Sequence, residues 1–237
     1  MIENFDIRFN VYSDTPPGKD PDAHSPTLKK YHKILWSKNL PNGQTFHLDD
    51  DRPGGLHHKS NLGEFLLSSD SIGHTYRTTK SLNDIVDKIS EDEIQIFFAL
   101  CSTIGAYIIF PANRINGKMT INGYRGFNQL IRDRFDLTLE CIRLFYLQDK
   151  NPLTDVLDRY RDFFNLFTDF KGYVDFFLLQ DLVTSDYQSI NYFLPFERFK
   201  KNPLPKNLEE YLVYKKNVTK FVNKRNLRML SDITSRS

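Results

Sequence analysis

The sequence predicts an α+β fold, in which a mixed or antiparallel sheet from the N-terminal half packs against long helices from the C-terminal half. Near the start of the chain, over residues 5–12, apolar and polar residues alternate as in a half-buried strand. Later segments instead carry apolar residues at helical spacing. Because strands and helices do not alternate regularly, a doubly wound sheet is not expected. No repeat or low-complexity linker divides the 237 residues, so we expect one domain over 1–237.

The first half is predicted to contain strands and short helices. Ser25 followed by Pro26 is typical of a helix start, because the serine oxygen caps an amide and proline needs no donor in the first turn. The predicted elements are, in order, a strand over 5–12, a helix from Pro26 to about Lys38, strands over 44–48 and 64–67, a helix over 81–89, a second helix opened by the capping box Ser90 to Glu93, and a buried strand over 105–110.

The second half is predicted to be mainly helical. Its strongest periodic pattern predicts one long helix with the inward positions Phe127, Leu130, Ile131, Phe135, Leu139, Ile142 and Phe145. A helix after Asn151-Pro152 follows. The segment 173–182 is ambiguous between helix and strand, residues 190–194 are predicted as a strand, and 208–230 as a terminal helix.

Three features of the sequence indicate where in the cell the protein is expected. The first six residues have neither the basic nor the apolar region of a secretory signal. The longest apolar stretch, 97–110, is interrupted by polar residues and is shorter than the roughly 18 residues of a membrane span. Cys101 and Cys141 lie in apolar segments, which favours buried, reduced thiols. We therefore expect a cytoplasmic protein without a membrane partner.

All six histidines lie in the first third of the chain: His24, His32, His47, His57, His58 and His74. A metal or acid–base centre would need them to combine with nearby carboxylates, of which the candidates are Asp20, Asp22, Asp49, Asp50, Asp51 and Glu64. No pair of histidines has the spacing of metal ligands on one helix face. Partly exposed loop histidines are the preferred interpretation, and no metal site is predicted.

The densest polar segment is 19–26. Here His24 is the candidate general acid or base, and Asp20 or Asp22 would orient or assist it. Lys19 and the amides at the start of the following helix would hold a phosphate. The alternative is an Asx-turn loop followed by an ordinary helix cap.

The loop 112–126 is the second candidate. Arg114, Lys118 and Arg125 would bind phosphate, with Asn122 among the ligand-binding side chains. Gly117-Lys118 does not make a Walker A loop, because Ala112 stands where its first glycine belongs. A basic turn with glycine at positions of positive φ explains the segment nearly as well.

Charged residues elsewhere are interpreted as surface features. Arg132 to Asp136 and Glu140 to Arg143 have the spacing of helical ion pairs. The C-terminal segment 197–228 is strongly basic, although the net charge is only +2. Such a helix can track a phosphate backbone, contact an acidic protein or simply keep the surface solvated.

Two stretches resemble the signatures of a bacterial protein family known only as a domain of unknown function. The first stretch is Gly18 to Leu28 with Leu35 to Lys38, and the second runs from Thr103 through Pro111 to Glu140. The resemblance covers most of the chain. It implies a bacterial cytoplasmic protein and brings no activity, cofactor or catalytic residue.

The leading hypothesis is a protein that binds a phosphate-bearing ligand, either a nucleotide or nucleic acid, as a binding protein or as a hydrolase or nuclease. It predicts that the segments 13–26 and 112–126 converge on one pocket. The rival hypothesis is a non-catalytic interaction or regulatory protein that uses the basic C-terminal helix, with Lys216, Lys220 and Lys224 on its contact surface. A metal-dependent enzyme is a third possibility, and no cofactor is specified.

Overall fold

A computed structural model describes residues 5–50 and 55–236. Residues 1–4, 51–54 and 237 lie outside the described residues, and with them the first residues of the chain and the candidate carboxylate Asp51. Within the described ranges, the predicted α+β class is confirmed.

The described residues contain ten α-helices and five short strands. The strands are β1 Lys38–Asn39, β2 Thr45–Phe46, β3 Leu56–Ser60, β4 Gly63–Ser71 and β5 Tyr107–Pro111. The helices are α1 Pro21–His24, α2 Pro26–Trp36, α3 Asn83–Val86, α4 Glu91–Cys101, α5 Ile121–Phe127, α6 Phe135–Tyr146, α7 Thr154–Arg159, α8 Arg161–Asn165, α9 Phe170–Phe176 and α10 Leu208–Ser235.

Two antiparallel sheets lie in the first half of the chain. One is the β1–β2 pair, and the other has the order β3-β4-β5. The central strand β4 is longer than its partner β3, whose register begins at Leu56 opposite Leu67. Beyond Leu67, β4 continues to pair with β5 on its other side, up to Ser71 opposite Tyr107. The last residues of β4 therefore have one edge that β3 does not cover.

The helix α10 packs against α4 and against the turn that precedes β5, and buried polar side chains fix it there. Arg225 is fully buried, and its guanidinium donates hydrogen bonds to the carbonyl oxygens of Gly105, Tyr107 and Phe177. Burial lowers the Arg225 pKa to about 9. The Asn226 side chain accepts a hydrogen bond of 2.8 Å from the Gly105 amide. A Cβ at Gly105 would lie 2.4 Å from that same oxygen, so this contact requires glycine.

Several predicted elements are confirmed with small changes of boundary. Ser25 caps α2 through a hydrogen bond from the Leu28 amide, and Ser90 caps α4 through the Glu93 amide. The buried strand predicted over 105–110 is β5, and the terminal helix is α10. Cys101 and Cys141 are buried and unpaired, and burial raises the Cys101 pKa to about 12.

The predicted strand over 5–12 is wrong, because local polar contacts bend this segment into turns. The Phe9 amide donates to the Asp6 carbonyl oxygen at 3.1 Å. The Asn10 side chain then caps a short 3₁₀ helix, Val11–Ser13. The rings of Phe5 and Phe9 both contact Tyr31 of α2, so the alternating aromatics pack on a helix instead of a sheet.

The single long helix predicted from Phe127 to Phe145 is also wrong. It is two helices, α5 and α6, separated by the turn 128–134. Arg132 and Asp133 have φ angles of 48° and 61°, which no α-helix accommodates. Phe127 is 76% exposed, so it does not belong to the inward face.

The break rearranges the predicted ion pairs of this region. Arg132 does not pair with Asp136; the buried Asp136 instead pairs with the buried Arg134. The Glu140–Arg143 ion pair is confirmed at 2.8 Å.

Two other predictions need correction, and one ambiguous segment is resolved. The strand predicted over 190–194 is reduced to an isolated bridge between Ile190 and Val183. The helix predicted from Pro26 to about Lys38 ends at Trp36, and Lys38 begins β1. The ambiguous segment 173–182 continues α9 to Phe176 and then forms a 3₁₀ turn, Gln180–Leu182.

Candidate functional site

Two of the predicted site residues, Asp22 and Asn122, complete the uncovered edge of β4. Asp22 Oδ1 accepts hydrogen bonds from the Ser69 amide at 2.7 Å and from the Ser69 hydroxyl at 2.6 Å. The Asn122 side-chain amide donates to the Ser68 hydroxyl and to the Ser69 carbonyl oxygen, both at 3.2 Å. These contacts replace the ladder bonds that β3 would have made. Both side chains therefore have a structural task.

The segments 13–26 and 112–126 thus meet on β4, but at a strand edge and not around the clefts described below. Burial raises the Asp22 pKa to about 6, and the hydrogen bonds from Ser69 offset part of that rise. Asp20 and His24 are exposed: Asp20 caps α1 through the Asp22 amide, and His24 Nδ1 lies 3.1 Å from the Asp20 carbonyl oxygen. Lys19 is exposed beside them.

The three cations of the 112–126 segment are not brought together. Arg114 and Lys118 are exposed on a loop that Asn116 and Gly117 turn through positive φ angles. Arg125 is instead fully buried within α5. The anion site predicted from these three cations is therefore not assembled.

Arg125 is held by three protein groups. Its guanidinium pairs with the Asp70 carboxylate and donates to Thr138 Oγ1 at 3.1 Å and to the Asp133 carbonyl oxygen at 2.9 Å. Burial raises the Asp70 pKa, although the charge of Arg125 opposes the rise. Arg125 thereby ties β4, α6 and the turn 128–134 together.

Beside this ion pair lies a cleft of about 360 Å³, between the segment after β4 and the turn after α5. Its lining combines hydroxyl, imidazole, guanidinium and carboxylate groups with a few apolar side chains. The residues that line it are His74, Thr75, Tyr76, Thr78, Thr79, Gly126, Phe127, Gln129, Arg132, Asp133 and Leu204. We refer to it as the His74 cleft. Its volume falls in the range of small-ligand sites.

Three residues of the His74 cleft have strained backbone conformations. Tyr76, Arg132 and Asp133 have φ angles of 56°, 48° and 61°, and none of them is glycine. Left-handed residues other than glycine persist only where their surroundings hold them, and seven more occur among the described residues outside this cleft. The Asp133 carboxylate lies against Gly126, where a Cβ would be 3.1 Å from both of its oxygens.

His74, one of the residues that line this cleft, has a ring nitrogen without a hydrogen-bond partner in the described part of the chain. Its Nε2 is buried and has no hydrogen-bond partner among the described residues. Burial lowers the His74 pKa, although the charges of Asp133 and Asp70 oppose this effect. The preceding residue, Gly73, has no room for a side chain, since a Cβ there would lie 2.7 Å from both Cys101 Sγ and Val218 Cγ1. A neutral imidazole at this position can accept a hydrogen bond or a proton.

Sequence reasoning missed the His74 cleft for identifiable reasons. His74 was grouped with five other histidines, and Arg132 was placed on the surface of a continuous helix. The break between α5 and α6 creates the cleft, and the apolar periodicity conceals that break. The segment Gln129 to Asp133 is 40% apolar, like the whole chain, so its composition does not signal the break.

The remaining histidines serve in local contacts. His32 Nδ1 accepts a hydrogen bond from the Trp36 indole at 3.0 Å, and burial lowers its pKa to about 3. His58 stacks on Phe46 and bonds to Ser60 Oγ at 2.9 Å. In the described part of the chain, no group of three or more potential ligands is placed to hold a metal ion.

Part of the basic charge of α10 is paired. Lys215 contacts Glu93, while Lys224 and Arg228 share Asp181. Arg225 is buried. Lys216 and Lys220 are exposed, so the predicted contact surface of this helix stays a prediction.

Comparison with known proteins returns one match. The model of a family described as a family of unknown function (DUF6994) matches residues 5–229. No curated protein and no solved structure matches the chain. None of the described helices is long and apolar enough to cross a membrane.

Proposed function

The chain belongs to DUF6994, a family of unknown function, and we propose from its own residues that it binds a small phosphate-bearing ligand in the His74 cleft. The proposal keeps the ligand class predicted from the sequence and assigns it to different residues. The observation that carries it is the meeting of an unpartnered buried imidazole nitrogen, a guanidinium and threonine hydroxyls on one strained cleft.

Arg132 is the group that would hold the phosphate. Its guanidinium makes one hydrogen bond among the described residues, to Gln129 Oε1 at 3.2 Å. The remaining N–H groups are therefore available for a bidentate contact with phosphate oxygens. The Tyr76 hydroxyl holds the Arg132 backbone in place, because it donates a hydrogen bond of 3.3 Å to the Arg132 carbonyl oxygen.

The threonines add donors on the opposite side of the cleft. Thr75, Thr78 and Thr79 lie on the segment that follows His74. The Thr75 backbone is anchored to α10, because the Tyr211 hydroxyl donates to its carbonyl oxygen at 2.7 Å. Hydroxyl groups on an anchored segment suit phosphate oxygens, which accept several hydrogen bonds.

His74 gives the cleft its catalytic capacity. Its Nε2 has no hydrogen-bond partner among the described residues, and a neutral imidazole nitrogen is a proton acceptor when a ligand reaches it. Hydrolysis of a bound phosphate ester, with His74 as general base, is the enzymatic form of this proposal. The ion pair of Asp70 with Arg125 would hold the surrounding backbone in place during such a step.

Isothermal titration calorimetry with ribose 5-phosphate and with ribose tests the proposal. We expect saturable binding of the phosphate ester and at least tenfold weaker binding of ribose, because a charged hydrogen-bonded pair contributes about 1.5–3 kcal/mol. Arg132→Gln should weaken the binding of the ester about tenfold.

Arg77→Gln is the matched control, since Arg77 is an exposed arginine that pairs with Glu91 outside the cleft. Its affinity should equal that of the wild type. Equal affinity of wild type and Arg132→Gln, with both folded, would remove Arg132 from the site and contradict the proposal.

A further inference from the structure

Lys38 occupies an unusual position for a lysine. It begins β1, opposite Phe46, and its side chain is only 12% exposed. Its Nζ lies 5.2 Å from the centre of the Trp36 ring and 5.0 Å from that of Phe176. The amine is therefore surrounded mainly by aromatic surface and is separated from bulk water.

The polar surroundings satisfy this amine poorly. Its ion pair is with Asp232, whose Oδ2 is 3.7 Å away, beyond ordinary hydrogen-bond distance. Arg236, directly after α10, and Arg225 on α10 add opposing positive charge. An ammonium ion has three donors to satisfy, so poor hydrogen bonding and burial favour the neutral amine.

The pKa of Lys38 follows from these surroundings. Burial is the largest cause and lowers it to about 8, while Asp232 opposes the decrease. At pH 7, roughly one Lys38 in ten then carries a neutral amine, against fewer than about one in a thousand for an ordinary lysine. The neutral amine is the nucleophilic form.

A cleft reaches the Lys38 residue from one side. Lys38 lines a cleft of about 510 Å³ whose other charged groups are Asp169, Lys171 and Asp175. These three are engaged with the protein: Asp169 caps α9, and Lys171 pairs with Asp175. Because these three charged groups are already engaged within the protein, they do not compete with a small uncharged molecule for Lys38.

We propose that Lys38 forms an imine with a small aldehyde or ketone bound in this cleft. The neutral amine attacks the carbonyl carbon, a C–N bond forms, and one proton passes from the nitrogen to the carbonyl oxygen. The resulting hydroxyl takes up a second proton and leaves as water, and the protonated imine then releases its remaining N–H proton. The product is a neutral imine, so the step needs no oxidant or reductant. Asp232 acts on the amine through its charge, because its Oδ2 is 3.7 Å from Nζ and pairs with Arg236 at 2.8 Å. This site is distinct from the His74 cleft and does not depend on its function.

Lys171 supplies an internal comparison. It lines the same cleft and is far more exposed, at 59%, but it pairs with Asp175. That hydrogen bond raises the pKa of Lys171. If exposure alone decided which lysine forms an imine, Lys171 would react first. The proposal predicts that Lys38 reacts first.

The experiment is reductive trapping on the full chain. The protein is incubated at pH 7.5 with a limiting amount of butyraldehyde, the imines are reduced with sodium cyanoborohydride, and alkylated lysines are quantified by peptide mass spectrometry. We expect at least fivefold more alkylation at Lys38 than at Lys171. In Lys38→Arg, which keeps the charge, alkylation at position 38 should be lost while that of Lys171 stays unchanged.

A second variant separates reactivity from a merely structural role. Asp232→Asn removes the carboxylate that stabilises the ammonium ion, so Lys38 should be alkylated faster at pH 7 than in the wild type. Alkylation of Lys38 equal to or below that of Lys171 in the folded wild-type protein would overturn the proposal. So would slower alkylation in a folded Asp232→Asn variant.

Discussion

The Tyr76 hydroxyl donates a hydrogen bond of 3.3 Å to the carbonyl oxygen of Arg132, and so joins two residues that both have left-handed backbone conformations. The two residues are 56 positions apart and lie on opposite sides of the His74 cleft. This bond holds the segment after β4 against the turn after α5. The shape of the cleft therefore depends on a contact between two strained positions.

Tyr76→Phe tests that dependence. Loss of the hydroxyl should lower the free energy of unfolding by about 1 kcal/mol, the usual contribution of one hydrogen bond. The affinity for ribose 5-phosphate should also decrease, because Arg132 is no longer fixed. Chemical denaturation and calorimetry measure the two effects. An unchanged affinity would show that Arg132 does not need this support.

The protonation of His74 is a second test. Since burial lowers its pKa, the imidazole should be neutral at pH 7, with a titration midpoint below the ordinary value of about 6.5. Histidine Cε1–H signals followed by NMR from pH 8 to pH 4, with His74→Gln for assignment, measure the midpoint. A midpoint above 6.5 would contradict the role of His74 as a proton acceptor at neutral pH.

The buried ion pair between Arg125 and Asp70 should contribute strongly to stability. Arg125→Met leaves the Asp70 carboxylate without its cation and Thr138 without a donor. We expect a loss of about 3–5 kcal/mol in the free energy of unfolding. Arg77→Met, which breaks an exposed pair with Glu91, should cost less than about 1 kcal/mol. Similar losses for the two variants in urea denaturation would contradict this account.

The raised pKa of Asp22 predicts how the free energy of unfolding depends on pH. Its pKa in the folded chain is raised to about 6, so its stabilising contribution is present below the unfolded pKa of about 4 and is lost as the pH rises through 6. Asp22→Asn keeps an oxygen for the Ser69 contacts and does not titrate. Relative to this variant, the wild type should lose on the order of 2 kcal/mol between pH 4 and pH 7. A constant difference across that range would refute the raised pKa.

The sequence predicted those parts of the fold that depend on local signals. Ser25 and Ser90 mark helix starts because a serine cap is a contact between neighbours. The buried strand β5 and the helix α10 were predicted because their apolar patterns match their packing. The N-terminal segment was mistaken for a strand because the rings of Phe5 and Phe9 alternate on Tyr31, which lies on α2 and not in a sheet.

The candidate site was less predictable because it depends on long-range contacts. Asp22 and Asn122 were chosen as chemical residues, yet their partners Ser68 and Ser69 lie about 50 positions away and make them edge caps. The sequence around Arg132 and Asp133 is typical of an exposed helix face, but both residues have left-handed backbone conformations. Periodicity reports which residues are apolar and does not report where a helix is interrupted.

The central claim is that the ligand site is the His74 cleft and not the exposed loop around His24. An NMR titration of isotope-labelled protein with ribose 5-phosphate tests it most directly, because both imidazoles and the Arg132 guanidinium give side-chain signals. The account predicts saturable shifts of the His74 and Arg132 signals, with His24 unchanged and no response to ribose. Unchanged His74 and Arg132 signals at millimolar ester, or shifts confined to His24, would contradict it.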